Sequence, residues 1–431
     1  MSVLWQKNTT SIDETLQDFM AGEDVVLDQN LLLFDIQASI AHVQGLQHID
    51  VITAEESEAL QTHLQKLADD FQSGTFVLDH RFEDGHSAIE SYLTEKLGDV
   101  GKKVHTGRSR NDQVLVASRL YLRDRLDQLF ETCQDIARSF LNHAAAHENV
   151  VMPGYTHLQR AVPSSVGMWA AGFAESFLDN ALLVQQQHHW INSCPLGTAA
   201  GYGVNLPLAR QAVAGEMDFN RLQLNPLYAQ NSRGKFELSA LSTLSQCLLD
   251  VRRLAWDLSL FTTAEYNFVQ LPNTYTTGSS IMPNKRNPDV VELLRAAVAP
   301  ILGAMTEMTS LLSLPSGYQR DLQGTKGPLI HNMEKGLKAL RLIPGLIDEL
   351  QWNEDIMRQS ISSDMYATDR AVELTTAGIP FRDAYRQVGD ELDQLEKRDP
   401  QQSITERVSM GGPGNLGLEL LEARFQALFP Q

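Results

Sequence analysis

Three short stretches of this 431-residue sequence combine side chains in ways that a plain connecting loop does not need. The most informative is Gly278-Ser-Ser-Ile-Met-Pro-Asn-Lys-Arg-Asn-Pro-Asp289. Gly278 permits backbone shapes closed to other residues, Ser279 and Ser280 offer hydroxyls, and Lys285 adds a compact cation. Asn287, Pro288 and Asp289 then open a helix, with proline near its first turn and acid at its positive end. A solvated linker has no use for the apolar Ile-Met-Pro centre between those groups, so the stretch reads as functional. The second, His105-Thr-Gly-Arg-Ser-Arg-Asn-Asp-Gln113, sets two guanidiniums among hydroxyl, amide and imidazole groups ahead of a helix. It suits the capture of a carboxylate through bidentate arginine contacts and neutral donors, and a solvated helix cap explains its composition equally well. The third, Gly154-Tyr-Thr-His-Leu-Gln-Arg-Ala161, reads as a polar turn before a helix starting near Pro163. A lone histidine is more often structural than catalytic, so His157 gains weight only through Thr156, Gln159 and the other two stretches.

The elements that must position these groups are long. Amphipathic stretches cover about 112–148, 164–193, 234–266, 288–313 and 323–351, with apolar residues at three- and four-residue spacing such as Leu122, Leu126, Leu129, Cys133, Ile136 and Phe140. At a rise of about 1.5 Å per residue the longest reach roughly 40–55 Å, which implies an elongated bundle. Val166 to Leu183 is apolar on more than one face, through Met168, Trp169, Phe173, Phe177 and Leu178, so partner chains are expected to cover it. Upstream, two helical patterns lie between Leu31 and Phe71, the second opened by the capping box Thr53-Ala-Glu-Glu56. Past Asp364 come shorter helices punctuated by Pro380, Pro400 and Gly411-Gly412-Pro413-Gly414. The expectation is an all-α fold in three parts: residues 1–110, a central long-helix bundle at 111–357, and a small helical unit at 358–431.

Composition narrows the partners. With 35 basic and 54 acidic residues the net charge is -19, which argues against nucleic acid and anionic membrane surfaces and leaves small anions open through local cation clusters. The amino terminus MSVLWQKNTT does not read as a secretory signal, and no stretch approaches the roughly 18 apolar residues of a membrane span. Cys133, Cys194 and Cys247, odd in number and set among apolar residues, read as buried thiols of a reducing compartment, so a cytoplasmic location is expected.

The Gly278–Asp289 stretch resembles the GSSxMPxKxNP signature of the fumarase, aspartase and adenylosuccinate lyase superfamily. HTGRSRNDQ at 105–113 and GYTHLQ at 154–159 are similar to its argininosuccinate lyase branch, as are Tyr318-Gln-Arg-Asp-Leu-Gln323 with Lys326, and Ser363-Asp-Met-Tyr-Ala-Thr-Asp369. The resemblance runs from about Leu4 to about Arg386. It departs at the start, where LWGGRF is replaced by Leu4-Trp-Gln-Lys-Asn-Thr9. It departs again at Phe19-Met-Ala-Gly-Glu-Asp24, which lacks a substrate-contacting serine and lies two residues farther from Asp28.

The resemblance implies β-elimination of argininosuccinate to arginine and fumarate, the last step of arginine biosynthesis, with neither metal nor organic cofactor. It implies Ser279 and His157 as the acid/base pair, assigned here as base and acid although the family has also been described with the roles reversed. Glu292 would partner the histidine, and Lys285 and Asn287 would stabilise the charge that develops. Ser109, Asn111 and Thr156 would meet the succinyl carboxylates, Tyr318, Gln323 and Lys326 would hold the amino-acid end, and His86 and Glu90 would stand behind them. It further implies a homotetramer whose active sites draw the three signature regions from three subunits. Three rival expectations are a sister lyase on another N-substituted aspartate, such as adenylosuccinate or an aminopolycarboxylate, a non-catalytic crystallin-like structural protein, and a plain helical scaffold or binding module, which would explain the bundle but not the three polar stretches.

Overall fold

The computed structural model describes residue 19 and residues 22–430. The divergent Leu4–Thr9 start, and Met20 and Ala21 of the altered Phe19–Asp24 segment, lie outside the described residues. The described residues divide into two compact units, each drawn from three stretches: those up to 128, 184–245 and 300–335 form one, and those at 129–183, 246–299 and from 336 onward the other.

Helices dominate, as the periodicity requires. Arg110–Ala146, Val166–Ile191 and Lys235–Phe261 are the longest, and Leu122, Leu126, Leu129, Cys133, Ile136 and Phe140 of the first are all buried. In unit 1 the expected helices of the amino-terminal part are Leu32–His48 and Ala54–Gln72. The second starts at the capping box read from sequence: the Glu56 amide donates to Thr53 Oγ1 at 3.2 Å and the Thr53 amide to Glu56 Oε2 at 3.1 Å. Ile36, Leu46, Leu60, Leu64 and Leu93 form the core beneath them. No helix among the described residues is long and apolar enough to cross a membrane.

Three expected helices are shorter or broken, each for a local reason. The 288–313 pattern divides into Asp289–Ala296 and Val298–Leu311, because Pro300 has no N–H to continue the ladder to Ala296. The 323–351 pattern divides into a 3₁₀ turn at Arg320–Thr325 and helices Lys326–Leu340 and Ile343–Asp348; Pro344 likewise cannot bond Leu340. The 234–266 pattern stops at Phe261, where the Thr262 hydroxyl bonds the Leu258 carbonyl at 2.7 Å and the Phe268 amide takes the Phe261 carbonyl at 2.9 Å.

The all-α expectation holds for the bulk of the chain but omits a β-hairpin in unit 2. Strands Val151–Thr156 and Gln159–Ser165 pair antiparallel, and the helix expected near Pro163 begins at Val166. Gly154 sits at the irregularity between Pro153 and Tyr155, where a Cβ would stand 2.9 Å from the Val162 carbonyl oxygen. The base of the hairpin is fixed by a buried cluster of Val151, Ile361, Met365, Tyr366 and Ile404. Two-residue strand pairs join Ser193–Cys194 to Arg221–Leu222 and Val269–Gln270 to Gln351–Trp352.

Candidate active site

The hairpin delivers His157 at its tip. Thr156 pairs with Gln159, leaving His157 and Leu158 as a two-residue turn with φ of 54° and 58°. That geometry matches the twist of the flanking strands and normally selects Asn-Gly or Gly-Gly, since left-handed φ costs a residue with a Cβ roughly 1 kcal/mol or more. Two side-chain-bearing residues held there form a local outlier of the kind that clusters at functional sites. Thr156, His157 and Leu158 are all exposed, so the imidazole is displayed and not packed.

The signature loop is the second feature of unit 2. Its two legs are clamped by a bridge between Thr277 and Asn287, with amide to carbonyl distances of 3.1 and 2.8 Å. The Asn287 side chain also reaches the Gly278 carbonyl at 3.4 Å, and the Thr277 hydroxyl bonds the Asp289 carboxylate. Inside the clamp Ser279 Oγ accepts from the Met282 amide at 3.0 Å and the Ile281 amide at 3.3 Å. Two donors aimed at one hydroxyl oxygen favour its charged form, as they would for any oxyanion. Lys285 and Ile281 stand exposed, and Lys285 makes no ion pair among the described residues. Glu292 follows on the first turn of the Asp289–Ala296 helix, half-exposed, with Arg295 at 3.8 Å. Among the described residues no hydrogen bond joins His157 to Ser279 or to Glu292, so the structure places these groups in one unit without uniting them.

The remaining predicted residues belong to unit 1, where the surroundings differ. Ser109 and Asn111 are half-buried at the positive end of the 37-residue Arg110–Ala146 helix, with the Asn111 amide donating to Ser109 Oγ at 3.3 Å. Asp112 behind them is fully buried. Its carboxylate accepts from the amides of Ser109 at 2.8 Å, Ala199 at 2.8 Å and Gly197 at 3.1 Å, while burial outweighs those donors and raises its pKa. Arg108 is buried beside Asp35 and Asp112 and donates to Ser39 Oγ at 2.9 Å. Arg110 pairs with Glu83 at 3.0 Å and Asp84 at 3.2 Å. The stretch is therefore both a helix start and a tightly bonded polar nest. His86 donates its Nδ1 proton to Asp35 at 2.5 Å; burial opposes its charge, but Asp35 prevails and its pKa is raised. Burial raises the half-buried Glu90. His105, beside Arg108 and Arg110, is depressed to about 4, by burial first and then by those cations.

Tyr318 and Gln323 are half-buried, and Lys326 opens its helix only 6% exposed. Its Nζ lies 2.7 Å from Asp28 and 2.9 Å from Asp24; burial disfavours its charge, yet the two carboxylates hold its pKa above the usual lysine value. Asp28 also accepts the Gly85 amide at 2.9 Å, tying the start of the Gly85–Leu97 helix to the same point. The guanidinium of buried Arg233 lies 5.9 Å from the Tyr318 ring centroid. Sequence reasoning did not join Asp24 and Asp28 to Lys326, which is 298 residues beyond Asp28. Nothing local marks such a pairing, and Asp28 stood out only as an altered spacing.

The lyase family matches residues 6–303. Among curated relatives, the argininosuccinate lyase of Stenotrophomonas maltophilia (strain R551-3) is 54% identical over 427 residues, 99% of this chain and 99% of that one. The argininosuccinate lyase of Xylella fastidiosa (strain 9a5c) is 55% identical over 428 residues, 99% of this chain and 96% of that one. Among solved structures, EDDS lyase in complex with formate superposes with a TM-score of 0.82 at 23% identity, covering 97% of this chain and 91% of that one. A class II fumarase from Schistosoma mansoni gives 0.73 at 17% identity, covering 94% and 91%. These two likenesses concern the fold.

Proposed function

The chain belongs to the argininosuccinate lyase family, and from that membership we propose that it cleaves argininosuccinate by β-elimination into arginine and fumarate. The observation that carries this reading is full-length identity above one half to enzymes of that name. It is a carbon–nitrogen lyase acting on a small-molecule substrate.

The chemistry assigned to each group follows from what the reaction must overcome. A proton leaves the carbon beside a carboxylate, which becomes a doubly charged aci-carboxylate, and a guanidine nitrogen then departs with the C–N bonding pair. Ser279 takes the proton: the Met282 and Ile281 amides that point at Oγ favour its anionic form. Lys285 and Asn287 face the charge that forms, where one well-placed donor is typically worth about 10²–10³ in rate. His157 returns a proton to the departing nitrogen, and Glu292 orients the imidazole. Ser109, Asn111 and Thr156 take the succinyl carboxylates, the first two with help from the helix dipole. Tyr318 and Gln323 receive the amino-acid end, and Lys326 acts there through Asp24 and Asp28.

Three-part organisation and assembly complete the proposal. We infer a cytoplasmic homotetramer in which three different subunits supply the 105–113, 154–159 and 278–289 stretches to each active site. Exposed apolar side chains on the unit 2 helices support assembly: Leu293 is 71% exposed and Trp256 47%, with Met168, Leu182 and Leu249 also open.

The test is ultraviolet absorbance of fumarate released from argininosuccinate by the purified protein, with adenylosuccinate in parallel. Fumarate from argininosuccinate alone is expected. Fumarate from adenylosuccinate in its place would transfer the assignment to the sister lyase, and fumarate from neither would remove it.

A further inference from the structure

We propose that Arg286 is a positioning residue that pins the carboxy-terminal leg of the signature loop and so sets where Lys285 and Asn287 stand; the inference rests on the elimination reading above. Arg286 lies between those two residues, one position before the Thr277–Asn287 bridge. Asn287 turns into the loop to bond the Gly278 carbonyl. The guanidinium of Arg286 instead bonds the chain ahead of the loop: Nη2 bonds the Leu271 carbonyl and Nε donates to Thr276 Oγ1 at 3.1 Å. Leu271 is itself buried, next to the Val269–Gln270 strand that pairs with Gln351–Trp352. One side chain thus ties the leg carrying two proposed reacting groups to fixed scaffold.

Two further facts separate this arrangement from a surface arginine of no consequence. Among the described residues Arg286 makes no ion pair; its acceptors are a carbonyl and a hydroxyl, which the planar fork of a guanidinium can span and a point cation cannot. It also lines a cavity of about 440 Å³ with Thr262, Asn267 and Thr276, so its removal would widen the gap between the foot of the loop and the scaffold. The loop is exposed from Ser280 to Arg286, and the Thr277–Asn287 bridge, the Ser279 turn, the bond from the Lys285 amide to the Met282 carbonyl at 3.1 Å and the reach of Asn287 to the Gly278 carbonyl shape it from within. A group that acts only on the transition state, displaced by an ångström, costs turnover and leaves substrate binding nearly intact.

The experiment compares Arg286→Ala, Arg286→Lys and Thr276→Val in the full-length protein, by steady-state kinetics and by amide hydrogen exchange without substrate. Expected for Arg286→Ala is a fall in kcat of roughly 10–100-fold with KM within about threefold, and faster exchange confined to residues 277–287. Arg286→Lys keeps the charge but loses the fork, and is expected to lose at least about fivefold in kcat; Thr276→Val, which removes one acceptor, should fall between it and wild type. Full activity of Arg286→Lys would overturn the pin in favour of charge alone. Unchanged loop exchange in Arg286→Ala would overturn it outright, and so would faster exchange throughout unit 2. Where Arg286→Ala does not fold, the other two variants decide by the same criteria. Should wild type release no fumarate, the elimination reading fails while the exchange arm still judges the pin.

Discussion

Lys326 and Lys285 are the two lysines of the proposed site, and they stand in opposite surroundings. Lys326, in unit 1, is buried and paired with Asp24 and Asp28; Lys285, in unit 2, is exposed on a loop with no ion pair among the described residues. A cation already neutralised by two carboxylates has little field left for a charge that forms elsewhere, whereas its removal strands those carboxylates. An unpaired cation contributes little to folding and can act fully on an anion, provided that water is excluded from the two. The same division runs through the neighbours. Ser109 and Asn111 sit in a preformed, hydrogen-bonded helix start, while among the described residues no hydrogen bond joins His157, Ser279 and Glu292 to one another. On the proposed assignment, recognition is built into the folded chain and reaction awaits assembly and substrate.

The sharpest test of that contrast is also the largest expected effect. Ser279→Ala and His157→Asn should each lower turnover by about 10²–10⁴, the range for a positioned acid or base, with melting temperature and assembly unchanged. Near-normal turnover in both would remove the assigned pair. A matching loss of stability would mean that these displayed groups also hold the fold, and the contrast would collapse.

Lys326→Met tests the other side. Removing one partner of a buried pair typically costs about 3–5 kcal/mol, so a large drop in denaturation midpoint is expected, with activity lost as its consequence. Asp24 shows how the expectation could break. Burial raises its pKa even beside Lys326, so it is the carboxylate readier to take a proton. A loss under about 1 kcal/mol would mean that protonation had replaced the ion pair.

These tests bear on residues of unequal visibility in the sequence. The helices, the Thr53–Glu56 cap and the glycine-flanked signature loop were legible because each is specified within a few residues. Pro300 and Pro344 were also in plain view, yet a helical period that continues across them masked the breaks. The hairpin was not legible: Val151–Thr156 and Gln159–Ser165 show no clean alternation, and their turn is His-Leu where Asn-Gly would have announced it. The Lys326 ion pairs and the hold of Arg286 on Leu271 depend on chain segments meeting in space, which no local pattern encodes.

Two buried histidines extend the comparison to pH. His86 is held charged by Asp35, so its contribution is complete below pH 6.5 and lost as pH rises through its elevated value. His143, in unit 2, accepts the Trp352 indole proton at 2.9 Å and is depressed to about 4, by burial first and His147 second. Its neutral form contributes fully above pH 6.5 and is lost as pH falls toward 4, because the unfolded chain takes up the proton first. Acidification through that window should remove about 1–3 kcal/mol at this residue. His143→Gln, measured by melting at pH 7 and pH 5, should flatten the acid loss; an unchanged slope would assign it to other groups.

The smallest effect is expected at the hairpin tip, where it bears on why the reacting side is strained at all. Leu158 is 67% exposed with φ of 58°, so its side chain gains little from packing while its backbone bears the cost of the left-handed region. On local grounds Leu158→Gly should raise stability by roughly 1 kcal/mol, read as a melting shift of a few degrees at most. That outcome would make the leucine a residue kept against the preference of its own backbone, with the turn geometry fixed by the need to display His157. A fall in stability would show that the leucine is covered in the assembled protein, and the tip of the hairpin would then belong to the interface as much as to the active site.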